Sequence, residues 1–379
     1  MNEVYINKIS KFLPNKPVSN DEMEKRLGLI NGNESINRGL ILRSNQIKTR
    51  HYALDENGQP THTNTQLAAL AVKKLFNDNF LLEDVELLTA GTSSPDAIQP
   101  SHALMLHGEL GGKEDMEVMS AHGTCNAAIL SLKYAYMSIK SEQTSNAVCV
   151  GSETFGPWMH ARNFEVEIDK RKELEKNPYI AFEKDFLRWM LSDGAAALKL
   201  ENKPDSEGVS LRIDWIEITS FAHKLETCMY AGGEKDDSGT LKGWKEMTEQ
   251  EREEQSVFSL KQDARLLQNN IVERGGLFLQ KLVEKHQLDI SEIDYFLPHL
   301  SSMFFKKKIY DHLKKLGMEI PYGKWFYNLP KVGNIGAASA FFMMEELYNT
   351  QHLKKGQKIL VMIPESARFS YSFVHLTVV

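Results

Sequence analysis

A cysteine, a histidine and an asparagine are the residues of this sequence whose types and settings could do chemistry together. Cys125 stands in AHGTCNAAILSLKYA (121–135), directly after a Gly-Thr pair and before apolar residues at helical spacing, Ala128, Ile129, Leu132 and Ala135. That spacing puts the cysteine at the start of a helix, where unpaired backbone N–H groups and the positive end of the helix dipole stabilise a thiolate. The alternative is a small buried residue, because free cysteine is among the most buried types. A single cysteine is only a candidate nucleophile until a histidine and a third polar group are found for it.

The partners emerge from an internal repeat. EDVELLTAGTSS (83–94) aligns without gaps on SEIDYFLPHLSS (291–302), an offset of 208 (291 minus 83), so Gly91 faces His299 where both strands end. HGTCNAAILSLKYAYMSI then matches KVGNIGAASAFFMMEELY within one residue of slippage. Gly91 and Cys125 are 34 positions apart, His299 and Asn334 are 35. Two such halves packed about a pseudo-twofold axis bring Cys125 and Asn334, both at helix N-termini, and His299, at a strand's C-terminal end, to one place, where open α/β sheets put their ligands. A satisfied core histidine and a helix N-cap are the plain alternatives for His299 and Asn334.

The rest of the chain supplies the frame. Its 379 residues are 42% hydrophobic and 25% charged, enough for two core-forming units. A net charge of -6 gives no footing for nucleic acid. Three cysteines, far apart and odd in number, argue for a reducing compartment and show no metal-ligand spacing. No apolar run approaches the ~18 residues of a membrane span, and the N-terminus lacks a signal-like apolar region. The protein is therefore expected to be cytoplasmic and free of membrane. Strands at Val4–Leu13, Val85–Ala90, Glu117–Ser120, Ala147–Gly151 and Ala195–Leu200 alternate with helices at Thr65–Phe76, Ser101–Gly108 and from Cys125 to about Ile139, which is an α/β pattern. Gly28–Asn45, rich in Gly and Asn, reads as a surface excursion.

The order Cys125 in GTCNAA, His299 in LPHLSS and Asn334 in VGNIGAAS resembles the thiolase superfamily, and within it the β-ketoacyl-ACP synthase III type. IKTRHYA (47–53), TSSPDAIQPS (92–101), VGSET (150–154) and LSDGAAALKL (191–200) follow in the same order. The resemblance implies a thiolase-like fold of two similar halves in five αβαβα layers: residues 1–205 carrying Cys125, with an insertion at about 155–189, and 206–379 carrying His299 and Asn334, with an insertion at about 221–255. It implies a ketosynthase of fatty-acid-like or secondary metabolism, of the kind that serves dialkylresorcinol or aryl-polyene pathways, acting as a homodimer. Cys125 would take an acyl group from a thioester, and His299 and Asn334 would donate hydrogen bonds to the enolate of a second one. The backbone N–H groups of Cys125 and Ala367 would form an oxyanion hole. No cofactor or metal is implied, since phosphopantetheine arrives on the substrate.

Departures bear on substrate. In the turn 364–371 the family's glycines are gone, so Ser366 and Arg368 are expected to narrow or charge the site. Leu40 and Ser44 replace residues that grip the adenine of coenzyme A, which favours an acyl-carrier protein as donor. Lys306, Lys307 and Lys308 offer it a basic docking patch, a solvated helix face being the alternative. The first insertion is expected to shape the acyl pocket and the second to lie on the surface. His122 has no assigned role, and His102 and His107 read as structural. The competing functions are an acyltransferase that passes the Cys125-bound group to oxygen or nitrogen, for which Asn334 would be superfluous, and a non-catalytic acyl-binding partner subunit, which would have no use for Cys125.

Overall fold

The computed structural model describes residues 2–30, 32–163, 185–236 and 238–379. Nine strands carry the architecture: β1 (Tyr5–Phe12), β2 (Leu87–Thr92), β3 (Glu117–His122), β4 (Asn146–Glu153), β5 (Gly194–Glu201), β6 (Leu211–Ser220), β7 (Ile293–Pro298), β8 (Lys358–Glu365) and β9 (Ser370–Val378). They hydrogen-bond in the order β7-β8-β9-β6-β1-β5-β4-β2-β3. The two halves of the sheet join at β1 and β6 through only two residue pairs, Tyr5 with Arg212 and Ile6 with Leu211.

Six helices matter for the site: α1 (Asn64–Lys73), α2 (His102–Leu110), α3 (Ala127–Lys140), α4 (Ala264–His286), α5 (Phe304–Lys315) and α6 (Ser339–Thr350). Three cores show how they stack. α1 and α2 cover β2, β4 and β5 on one outer face, and α4 and α5 cover β7, β8 and β9 on the other. α3 and α6 share one core with β1, β5, β6, β8 and β9, strands from both ends of the sheet. The sheet therefore folds over this helix pair, and the layers run αβαβα. The middle helices are apolar accordingly: every residue from Ser339 to Met344 is buried, as expected of a helix with sheets on both sides. Phe341 and Phe342 each contribute about 1.5–3 kcal/mol by burial.

The repeat is visible in the strand pairing. β2 lies between two parallel neighbours, β3 and β4. Its counterpart β7 is parallel to β8 on one side, and on the other keeps only a single parallel bridge, Phe296 to Trp325. The fifth strand of the second half is thus reduced to one residue pair.

Two expectations need correction. Gly28–Asn45 is not a mere excursion, because Arg38–Asn45 is helical and buries Ile41 and Asn45 completely. Apolar Leu40, Ile41 and Leu42 supply too short a run to reveal the helix. The insertion at 221–255 forms ribbons (Met229–Tyr230 with Lys261–Gln262, Gly233–Lys235 with Leu241–Gly243) and a short helix, Glu249–Glu254. Its base buries Cys228 and Met247, so it is anchored in the core and not simply laid on the surface. Most of the insertion at 155–189 lies outside the described residues.

Candidate active site

Within each half the parallel strands share a direction, β7 with β8 and β2 with β3 and β4, and the candidate residues follow their C-termini. Ser93 follows β2, Thr124 and Cys125 follow β3, His299 follows β7, and Ser366 follows β8. Asn334 comes from the turn before α6, where the LSDGA segment registers it. Its N–H donates to Met190 O at 3.0 Å and its carbonyl accepts from Ser192 N–H at 2.9 Å. Cys125, His299 and Asn334 line a single cavity, together with Phe155, Met190, Leu191 and Gly336.

Cys125 is seated by glycine on the neighbouring strand. A Cβ on Gly91 would lie 2.3 Å from the backbone carbon of Ala127, so only glycine lets α3 begin this close to β2. The repeat places His299 at the matching position of the other half, so one copy uses this strand end for helix contact and the other for a side chain. The expected thiolate is not what the surroundings favour. Burial first, then the carboxylates of Glu365 and Glu153, push the Cys125 thiol well above its ordinary value. Glu365 Oε2 accepts the backbone N–H of Thr124 at 3.0 Å and of Asn126 at 3.2 Å, so a carboxylate already occupies the helix-start donors that were to stabilise sulfur. The resting group is the thiol.

His299 and Asn334 complement each other as donors. Burial holds His299 down at about 4, so the imidazole is neutral, and its Nε2 is buried without a hydrogen-bond partner among the described residues. Asn334 Oδ1 accepts from Gly336 N–H at 3.0 Å and from Ser339 Oγ at 3.3 Å. With its oxygen held by the turn before α6, the amide has its Nδ2–H groups left to offer. Asn334 therefore caps the turn and presents a donor at once.

Glu153, fully buried, ties the site together. It accepts from Ser93 Oγ at 2.8 Å, Ser94 Oγ at 2.5 Å and Ala337 N–H at 3.0 Å. Burial raises its pKa. Gly336 adopts φ +46°, and a Cβ there would fall 2.7 Å from Glu153 Oε1. VGSET contains this residue, but nothing in the motif marked it as the link between β2, β4 and the Asn334 turn.

This geometry has relatives. The model of the 3-oxoacyl-[acyl-carrier-protein] synthase III C-terminal family matches residues 283–363. A β-ketoacyl-[acyl-carrier-protein] synthase III of Clostridium perfringens is 26% identical over 318 residues, 83% of each chain. Among solved structures, a tetronic acid condensing enzyme, AbyA1, superposes with a TM-score of 0.75 at 20% identity, covering 98% of this chain and 99% of its own. Xanthomonas campestris OleA, in a structure with bound lauric acid and lauroyl-CoA, reaches 0.72 at 19% identity, covering 100% and 99%. The chain is β-ketoacyl-ACP synthase III-like.

Against that pattern, several residues of this synthase III-like chain sit elsewhere than sequence reasoning put them. Arg368 is exposed and does not line the cavity, so it brings no charge there. Ser366 does line it. Ala367 is not among the lining residues, and its carbonyl accepts from Cys228 and Met229 N–H at 2.8 and 3.2 Å. The second insertion and the segment after it supply wall, through Met229, Leu260 and Gln262, although its polar composition pointed outward. Lys306 donates to Tyr327 OH at 2.8 Å between two aromatic rings, Lys307 pairs with Asp311 at 2.6 Å, and Lys308 stacks on Phe304. Of the three, Lys307 is paired with a carboxylate, while Lys306 and Lys308 rest on aromatic rings and keep their charge. His122 is exposed at the end of β3, and His102 is structural, its Nε2 2.8 Å from Ser152 Oγ.

Proposed function

We propose that this chain is a condensing enzyme that joins two acyl thioesters through a carbon–carbon bond. Cys125 attacks the first thioester carbonyl and expels the carrier thiol, which leaves with the sulfur proton. A second thioester loses CO2 or an α-proton, and the enolate oxygen accepts hydrogen bonds from His299 Nε2–H and Asn334 Nδ2–H. The enolate carbon attacks the acyl carbonyl, the C–S bond breaks, and the departing thiolate takes up a proton, the one lost from the α-carbon or one from solvent, to restore the Cys125 thiol. The observation that carries this reading is the neutral, buried and unpartnered His299 Nε2 in the same cavity as Cys125. Fixed donors in a dry site act on developing charge more strongly than water would.

A plain acyltransfer to oxygen or nitrogen would not need the Asn334 donor. Acyl-carrier protein is the favoured donor: Leu40 is 54% exposed and offers no ring plane to an adenine. Lys306, Lys307 and Lys308 are the docking candidates, and phosphopantetheine enters with the substrate, so no resident cofactor is needed. The chain acts as a cytoplasmic homodimer in lipid or secondary-metabolite synthesis. β3 ends the sheet, and Leu104, Met105, Leu130, Tyr134 and Met137 are exposed on the helices α2 and α3 that flank it, an apolar edge that a second copy would cover. No helix among the described residues is long and apolar enough to cross a membrane.

Intact-mass analysis with a panel of acyl-carrier-protein thioesters, followed by a malonyl-type extender, tests the whole reading. An adduct on Cys125 that is discharged into a longer β-keto product is expected. An adduct discharged only onto an alcohol or amine would sink it.

A further inference from the structure

Away from Cys125, His299 and Asn334 one stretch of the cavity wall is mainly apolar. Met229, Leu260, Leu267, Ile271, Phe305 and Met362 line it, and among them stands Gln262. Gln262 pairs with Met229 in the two-residue ribbon at the base of the second insertion, so its backbone is held. The side chain is 5% exposed, and its Nε2 donates to Ser366 Oγ at 3.2 Å. Oε1 is buried with no partner among the described residues.

A buried carboxamide with one end unmet costs free energy that a leucine in the same place would not. A half-turn of the amide does not remove the cost. It lets Oε1 accept from the Ser366 hydroxyl and leaves Nε2 open instead. One position is thus always unfilled, as acceptor or as donor, and a hydroxyl group satisfies either.

We propose that Gln262, backed by Ser366, is a specificity-determining residue that recognises a hydroxyl group on the acyl chain. This rests on the reading of the cavity as the acyl-thioester site. An unsubstituted chain leaves the carboxamide unmet on binding, so the discrimination is against the chain that lacks the hydroxyl. Met190, Met229 and Met362 line the same space, and their flexible side chains let the wall adapt to the chain until the hydroxyl reaches the amide.

The test uses the full-length protein and medium-chain acyl thioesters, unsubstituted or with one hydroxyl at successive carbons. The rate of Cys125 acylation is followed by intact mass. At one hydroxyl position the wild-type rate is expected to exceed that of the unsubstituted chain about tenfold. Gln262→Met, unbranched and of the same length, is expected to abolish that ratio by accelerating the unsubstituted chain. Gln262→Leu serves as the second variant, and a thermal melt reports whether each is folded. Should neither fold, the wild-type ratio decides. Equal wild-type rates for all chains, or a preference that survives in a folded Gln262 variant, overturn the assignment while leaving the condensing reading intact. A panel in which no chain acylates Cys125 overturns both.

Discussion

Glu365 Oε2 lies 3.2 Å from the backbone nitrogen of Asn126, the residue that follows Cys125. The same oxygen accepts from Thr124 N–H, the residue before it, and Oε1 accepts from Ser370 Oγ, which is in turn hydrogen-bonded by Asn126 Nδ2. A carboxylate thus clamps the Cys125 turn from the far half of the chain. It also cancels the helix-start potential that would otherwise favour a thiolate.

Glu365→Gln keeps the length and one acceptor but removes the charge. Less negative surroundings favour ionisation of sulfur, so the thiol pKa falls and iodoacetamide alkylation of Cys125 near pH 7 is expected to rise about tenfold, one pKa unit. A pH–rate profile of alkylation checks it. An unchanged or upward-shifted midpoint would mean that the charge at Glu365 does not act on the sulfur.

His299→Ala should separate the two half-reactions. Acylation of Cys125 requires no enolate donor, so the mass adduct is expected to form at a rate within a few-fold of wild type. Condensation should fall by about 10²–10³, the usual loss when one such donor is removed. Asn334→Ala is expected to do the same and to lower stability as well, because it also frees Gly336 N–H and Ser339 Oγ. Equal losses in both half-reactions would count against an enolate role.

How far the sequence carried depends on the length of each signal. Cys125 and His299 were legible because each follows a strand, Asn334 because it opens the matching helical stretch, and a repeat spanning two halves brings these positions together. Gln262, Met229 and Leu260 were not legible, since two-residue strands have no periodicity to read and the residues around them are charged. Glu365 received no role from the sequence, because nothing local says that its carboxylate reaches a turn 239 positions away. For the same reason the helix-start argument overstated the acidity of Cys125: it counted the dipole of α3 and missed the two carboxylates brought by other strands.

Gly91→Ala tests how the cysteine is seated. A methyl group 2.3 Å from the Ala127 backbone cannot be absorbed by a side-chain rotation, so α3 must move away from β2. Overpacking of this kind costs about 3 kcal/mol, read as a lower midpoint in urea denaturation. Because α3 carries the Cys125 turn with it, acylation is expected to fall further than stability alone explains. A variant as stable and as reactive as wild type would show that the close approach is not needed.

The pH dependence of stability isolates the buried imidazole. His299 is held at about 4 by burial, against an ordinary 6.5. The unfolded chain therefore binds a proton that the folded one refuses, and the stabilisation is complete above the unfolded value and lost as pH falls through the window from 6.5 toward 4. His102, also held at about 4, contributes with the same sign, and Asp193, raised by burial to about 7, with the opposite one. The wild-type curve alone is thus ambiguous, but both groups are common to wild type and His299→Asn. The stability gap between the two proteins is expected to shrink by about 2–3 kcal/mol between pH ~7.5 and pH ~4.5, the window times 1.36 kcal/mol per unit. Urea titrations at the two pH values measure it, and a gap that stays constant or widens on acidification would mean that His299 is charged, or exposed, in the folded protein.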